Sequence, residues 1–308
     1  MNSTVMAARP STPNKKIKQG AGENIGTFFI YLVVFLFAVM CILPFILVVI
    51  VSLSSEKSIT VNGYSFWPSE WSTAAYEMLF LPSSAVPQAY LVTGISTVFG
   101  TLVASFITFG AGYTLANRSC RYRNGLSLYF YVTMVFSAGL VPWYMMCKSL
   151  GCYDNIWALI VPSLMFNPFN MFLVRNFVRG IPAELNESAK IDGAGEVRIA
   201  FSIYFPLCLP VLATIALFYA IGYWNNYFNA VMLVNNEDYY SLQMLLFKIQ
   251  SEITALSNLS AGAMQTVNPP KESFKMATSV ITMGPIIILY PFLQKYFVKG
   301  MVVGAVKG

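Results

Sequence analysis

Histidine is absent from the 308 residues, and its absence removes whole classes of chemistry. Without an imidazole there is no HExxH zinc helix and no Ser–His or Cys–His pair, so the common hydrolytic constellations are excluded. The phosphate-cradling GxxxxGKS/T loop is missing too, because Lys57-Ser58 and Lys148-Ser149 lack the upstream glycines. The chain encodes no nucleotide-hydrolysing site and no metal or cofactor site of its own. Its five cysteines (Cys41, Cys120, Cys147, Cys152 and Cys208) include no CxxC pair, which together with the missing histidine argues against zinc. Cys147 and Cys152 are close enough in sequence to pair, but free packing thiols are the simpler reading. No internal repeat or low-complexity tract is present.

Charge is also scarce: 10% of residues are charged against 56% hydrophobic, with a mean hydropathy of +0.61. A water-soluble globule of this length needs far more surface charge, so the implied solvent is a bilayer. About 20 apolar residues cross the hydrocarbon core as a helix. Six charge-free runs approach or exceed that length: Thr27–Leu53, Tyr90–Leu115, Leu126–Cys147, Ile156–Val174, Ile203–Val234 and Ala277–Gln294. Long continuous blocks exclude a transmembrane β-barrel, whose strands are short and alternating. The sequence therefore predicts an all-α integral membrane protein with six transmembrane helices. Because the runs hold no Asp, Glu, Lys or Arg, a channel or carrier powered by its own buried charges is disfavoured as well. The free energy for any transport must come from elsewhere.

Lys and Arg in the connections set the orientation, since they are retained on the cytoplasmic side. Alternate connections carry fourteen on one side, including Arg118, Arg121, Arg123, Arg175, Arg179, Lys190 and Arg198, against five on the other. Both termini are thereby placed in the cytoplasm of a multi-pass cell-membrane protein. The net charge of +6 is explained by basic residues beside anionic lipid and needs no nucleic acid. Residues 1–24 read as a disordered cytoplasmic tail, and the first run, too long for a signal-peptide core, as a retained helix. Trp67, Trp71, Trp143, Tyr144, Tyr153 and Trp157 read as interfacial anchors. In the external segment 235–276, Leu242, Leu245, Leu246, Ile249, Ile253 and Leu256 form one helical stripe, either lying on the bilayer or docking an external partner.

One polar island interrupts this apolar chain. In residues 180–206, Pro182 suits a first helical turn, and Leu185, Ala189 and Asp192 follow on one side. Gly193 then permits a positive φ and a sharp corner. Val197, Phe201 and Phe205, four residues apart, turn an apolar face back toward the membrane before Pro206. The prediction is a short helix, a glycine corner and a returning helix.

The pattern Glu187-Ser188-Ala189-x-x-Asp192-Gly193-Ala194, with Phe201-x-Ile203-x-Phe205-Pro206 after it, resembles the EAA loop of ABC-importer permease subunits. That loop reads E-A-A-x-x-D-G-A; here Ser188 stands for the middle alanine and Phe205 for a leucine. A merely solvated loop would explain the charges but not the joint register of Glu187, Asp192-Gly193 and Pro206. The ending Leu293–Gly300, then Met301–Gly308, is similar to the maltose-type permease subunit. Trp224-Asn225-x-x-Phe228 also fits the carbohydrate-uptake branch, most of all its Lpl-type members.

The resemblance implies an ABC type I importer permease fold over residues 25–300, with residues 301–308 as a cytoplasmic tail. It implies that Glu187, Ser188, Ala189, Asp192, Gly193 and Ala194 couple to a cytoplasmic ATPase, and that Gly304, Lys307 and Gly308 touch the ATPases. The implied partners are a second, homologous permease, two ATPase subunits that carry ATP and magnesium, an extracytoplasmic solute-binding protein, and an oligosaccharide derived from a polysaccharide. A non-sugar solute and a non-transporting membrane scaffold are the alternatives. Polar groups inside the spans mark the candidate substrate path: Trp224, Asn225, Tyr227 and Asn229 in the fifth run, Asn167 and Asn170 around Pro168 in the fourth. The second pair reads as structural. For the first cluster, sugar contact and internal hydrogen bonding are equally open.

Overall fold

A segment in hydrocarbon must satisfy its own backbone N–H and C=O groups, and helices do so locally. A computed structural model describes residues 21–81, 84–162, 164–260 and 272–305. Among them are fifteen α-helices and no strand beyond an isolated Ser54–Trp71 bridge. α1 (Ala21–Ser52), α2 (Glu56–Asn62) and α3 (Ala74–Leu79) precede the long α4 (Val86–Ala116). Next come α5 (Arg123–Val135), α6 (Leu140–Ser149), the single turn α7 (Trp157–Ile160), α8 (Pro168–Arg179) and α9 (Glu184–Ile191). The short α10 (Glu196–Ile199) passes through a π-turn (Ala200–Tyr204) into α11 (Phe205–Leu207) and α12 (Leu209–Trp224). α13 (Phe228–Leu233), α14 (Leu242–Ser260) and α15 (Glu272–Ala305) follow.

Among the described residues, α1 from Gly26 and α4 are each long and apolar enough to cross a membrane. Two further pairs qualify only when taken together: α5 with α6, bent by 117°, and Glu196–Leu207 with Leu209–Trp224, bent by 81°. The run Leu126–Cys147, read as one span, is thus two helices, and Gly139 at φ +89° sits at their junction. The run Ile156–Val174 is likewise broken between α7 and α8, where Pro162 and Pro168 interrupt the N–H ladder. Absence of charge marks a segment as apolar, not as straight.

Residues 1–47 and 48–308 are separate units. In the first, the α1 side chains from Thr27 to Ile46 are exposed. In the second, α4 is the central post: Ser96, Gly100, Ala104, Thr108 and Gly112 recur every fourth residue and are all buried. This small-residue row lets neighbouring backbones approach closely. A Cβ on Gly100 would lie 2.4 Å from Cζ of Tyr223 in α12, and one on Gly112 would lie 2.8 Å from Cγ1 of Val174 in α8. The α14 stripe has a third role that neither reading anticipated: Leu242 and Leu245 are buried in a core with Leu79, Val86 and Ala277. Cys147 and Cys152 are free thiols in another core cluster.

Candidate functional site

The island folds as a helical corner. α9 begins at Glu184 with Ala183 as its N-cap, so Pro182 lies one residue before the cap instead of in the first turn. At the other end Gly193 takes φ +78°. Its N–H donates to the Lys190 carbonyl (3.1 Å), and the Ala194 N–H donates to Ala189 (2.9 Å). These two bonds are the Schellman pair, which requires the left-handed conformation at the glycine. A Cβ there would meet no atom within 4 Å, so the requirement is conformational and not spatial.

Of the residues assigned to one side of α9, only Ala189 is buried; Leu185 and Asp192 are exposed. Asn186, Glu187 and Lys190 share a face that lines a cavity with the ends of α4 and α8, while Ser188 falls on the opposite side by helical periodicity. Glu196 ties the corner down. Its carboxylate accepts from Lys190 Nζ (2.7 Å), Tyr113 Oη (3.2 Å) and Asn117 Nδ2 (3.2 Å). The Lys190 hydrogen bond, against the opposing effect of burial, holds the Glu196 carboxyl below the usual carboxylate range. The returning segment is stitched to α4 by rings. Phe106 stacks on Phe201 with centroids 5.2 Å apart, while Phe109 meets Phe205 at 5.1 Å and Tyr113 meets Tyr204 at 5.2 Å, both edge-on. Val197 is 72% exposed, so the expected membrane-directed face begins at Phe201.

The polar residues of the spans meet one another's broken backbones. Asn229 Nδ2 donates to the Pro162 carbonyl (2.8 Å), Asn226 Nδ2 to Leu159 (3.1 Å) and Tyr223 Oη to Ile160 (2.9 Å). Carbonyls released where α7 ends are thus bonded by the segment where α12 ends. Asn167 Oδ1 caps α8 by accepting from the Phe169 N–H (2.8 Å), and its own N–H donates to Tyr219 Oη (3.0 Å). Asn170, its partner around Pro168, is buried. Trp224 Nε1 donates to the Thr282 carbonyl (3.0 Å). Asn225 and Tyr227 remain nearer the surface: Asn225 Oδ1 accepts from Gln243 Nε2 (3.2 Å), and the Tyr227 ring lies 6.2 Å from that of Phe247. Gln243 and Phe247 join this group through α14, which the sequence signalled only as an apolar stripe. Gly304 lies in the last turn of α15; Lys307 and Gly308 lie outside the described residues.

Known proteins share this architecture. Protein LplC of Bacillus subtilis (strain 168) is 41% identical over 87% of this chain and 90% of its own. The polygalacturonan/rhamnogalacturonan transport system permease protein YtcP of the same organism is 38% identical over 91% and 97%. The crystal structure of a bacterial ABC transporter involved in the import of the acidic polysaccharide alginate includes a chain that superposes with a TM-score of 0.79. It is 30% identical, covering 91% of this chain and 99% of that one. The family model for the inner membrane component of binding-protein-dependent transport systems matches residues 108–303, which include the corner and the helix breaks after α5, α7 and α12, and the chain belongs to that family.

Proposed function

We propose that the chain is the permease subunit of an ATP-binding-cassette importer for oligosaccharides cut from a polysaccharide, and that the corner at Gly193 receives its mechanical drive. The carrying observation is the Schellman-closed corner, held by Glu196 and stitched through three aromatic pairs to α4. A rigid knob on the central helix is the connection a power stroke needs. Six spans place both termini in the cytoplasm, with α1 as the first in chain order, α15 as the last and each broken segment as one span. ATP and magnesium bind partner ATPase subunits, and closure of those subunits moves the knob. Because α4 also packs on α8 and α12, the movement reaches both broken spans. Differential binding of ATP and of the loaded receptor to the inward- and outward-facing states then shifts their populations. The exposed apolar surfaces of α1 and α5 face lipid and a homologous second permease. Oligosaccharide is assigned because YtcP is a polygalacturonan/rhamnogalacturonan transport system permease and the superposing chain comes from a transporter involved in the import of the acidic polysaccharide alginate.

The test is reconstitution. The chain is co-expressed with its neighbouring permease, ATPase and receptor genes, purified in detergent and placed in liposomes. Uptake should require ATP and the receptor, and deletion of 184–194 should release the ATPases. Oligosaccharide uptake by this chain without any ATPase would overturn the proposal.

A further inference from the structure

A cavity of about 500 Å³ lies inside the corner, walled by the end of α4, the loop after it, the start of α5, the end of α8 and the inner face of α9. Its charges do not balance. Arg118, Arg123, Arg179, Lys190 and Glu187 all line it. Lys190 is spent on Glu196, and among the described residues none of the three arginines has an ion pair. Three guanidinium groups against the single Glu187 carboxylate leave a surplus of two positive charges. Arg175, at the same end of α8 but outside the cavity lining, has a buried Nε with no hydrogen-bond partner, and its guanidinium lies over the Phe172 ring.

Two features say what would balance this surplus. Asn186, which lines the cavity, has a buried Oδ1 that accepts no hydrogen bond. A complementary ligand therefore carries a donor beside its negative charge, as a phosphate ester bearing a hydroxyl or amine does. Position is the second feature. Residues 118, 123 and 175–179 directly follow or precede the apolar runs of α4, α5 and α8, which is the headgroup level. Basic pockets between spans at that depth suit lipid phosphate. From Arg123, α5 continues with no buried side chain, giving an acyl chain an open apolar surface to follow. An acidic side chain of a docking protein suits the site less well, because a carboxylate offers no donor to the buried Asn186 Oδ1.

We infer that this cavity binds the phosphate of an anionic phospholipid headgroup, gripped by Arg118, Arg123 and Arg179 with Asn186 accepting from the headgroup. The inference goes beyond the transport reading and rests on it only for membrane orientation. A basic residue near an anionic surface is worth about fivefold in affinity, so each arginine lost should weaken retention by about that factor.

The experiment uses the intact importer, washed in detergent and offered phosphatidylglycerol, phosphatidylcholine or millimolar inorganic phosphate, with bound lipid read by native mass spectrometry. One phosphatidylglycerol per copy of this chain should survive the wash in preference to phosphatidylcholine. R118Q should lower its retention about fivefold, and R118Q/R179Q more, with the ATPases still co-purifying. The charge-preserving R118K/R179K should keep most of it, which separates loss of the site from loss of the fold. Three results would overturn the inference: unchanged retention in the glutamine variants, complete displacement by inorganic phosphate, or loss of the ATPases with lipid content intact. The last would give the arginines to the ATPase. Failed lipid retention in a complex that still transports leaves the function proposed above standing.

Discussion

Gly193 separates two explanations of the corner: a need for space and a need for backbone conformation. Its φ of +78° lies in the left-handed region, and an added Cβ would touch nothing within 4 Å. Alanine therefore meets no clash and carries only the left-handed penalty, roughly 1–2 kcal/mol. That penalty lowers the population of the intact corner by a factor of about 5–30. Asparagine tolerates the conformation and should lose less. Valine, branched at Cβ, should lose most. The readout is solute taken up per ATP hydrolysed in liposomes holding the whole importer, with ATPase co-purification measured alongside. Coupling should fall in the order Gly, Asn, Ala, Val while the spans remain folded. If the asparagine variant were as uncoupled as the valine variant, or the valine variant were fully coupled, the conformational account would be refuted.

Three further outcomes follow from particular contacts. Gly100→Ala puts a methyl 2.4 Å from Tyr223 Cζ, an overpacking that should cost ~1–3 kcal/mol. Thermal unfolding in detergent reads that loss, and combining the change with Tyr223→Leu should be markedly less than additive. Asn229→Ala leaves the buried Pro162 carbonyl without its 2.8 Å donor and should destabilise by ~1–3 kcal/mol; an unchanged melting temperature would show that water replaces the amide. Glu196 has a depressed pKa, so its stabilisation is fully present above the ordinary carboxylate value near ~4.3 and is lost as pH falls through the lower folded value. The stability difference between wild type and Glu196→Gln should thus persist at neutral pH and close only in acid, and a difference that closes near neutrality contradicts the assignment.

The corner was legible in the sequence because its determinants are local. Eight helical residues, a glycine at C′ and the Schellman bonds all fall within Glu184–Ala194. The direction of each side chain was not legible. Which face of α9 turns inward depends on α4 and α8, and so the spacing placed Leu185, Ala189 and Asp192 on one side although only Ala189 is buried. The post has only a quiet signal in the sequence, a small residue at every fourth position from Ser96 to Gly112. Glycine, alanine, serine and threonine carry no charge and little hydropathy of either sign, and the role of the row is set by the groups packed on it, Tyr223 on Gly100 and Val174 on Gly112.

The broken spans show the same division between what is local and what is not. The end of a helix announces that its last carbonyls lose their N–H partners, but not which groups replace them. Here the replacements come from about sixty residues downstream: Tyr223, Asn226 and Asn229 bond Ile160, Leu159 and Pro162. Each of these side chains lies at a point where its own helix also ends or restarts. One discontinuity therefore supplies donors to the other, and neither can straighten without stranding polar groups of both in an apolar medium, at a cost of several kcal/mol for each unsatisfied group. The two breaks are energetically one unit. Since α4 packs against α8 and α12, the helices that flank this unit, the joined breaks and the central post form one packed assembly, in which a change at either break is felt by both flanking helices and by α4.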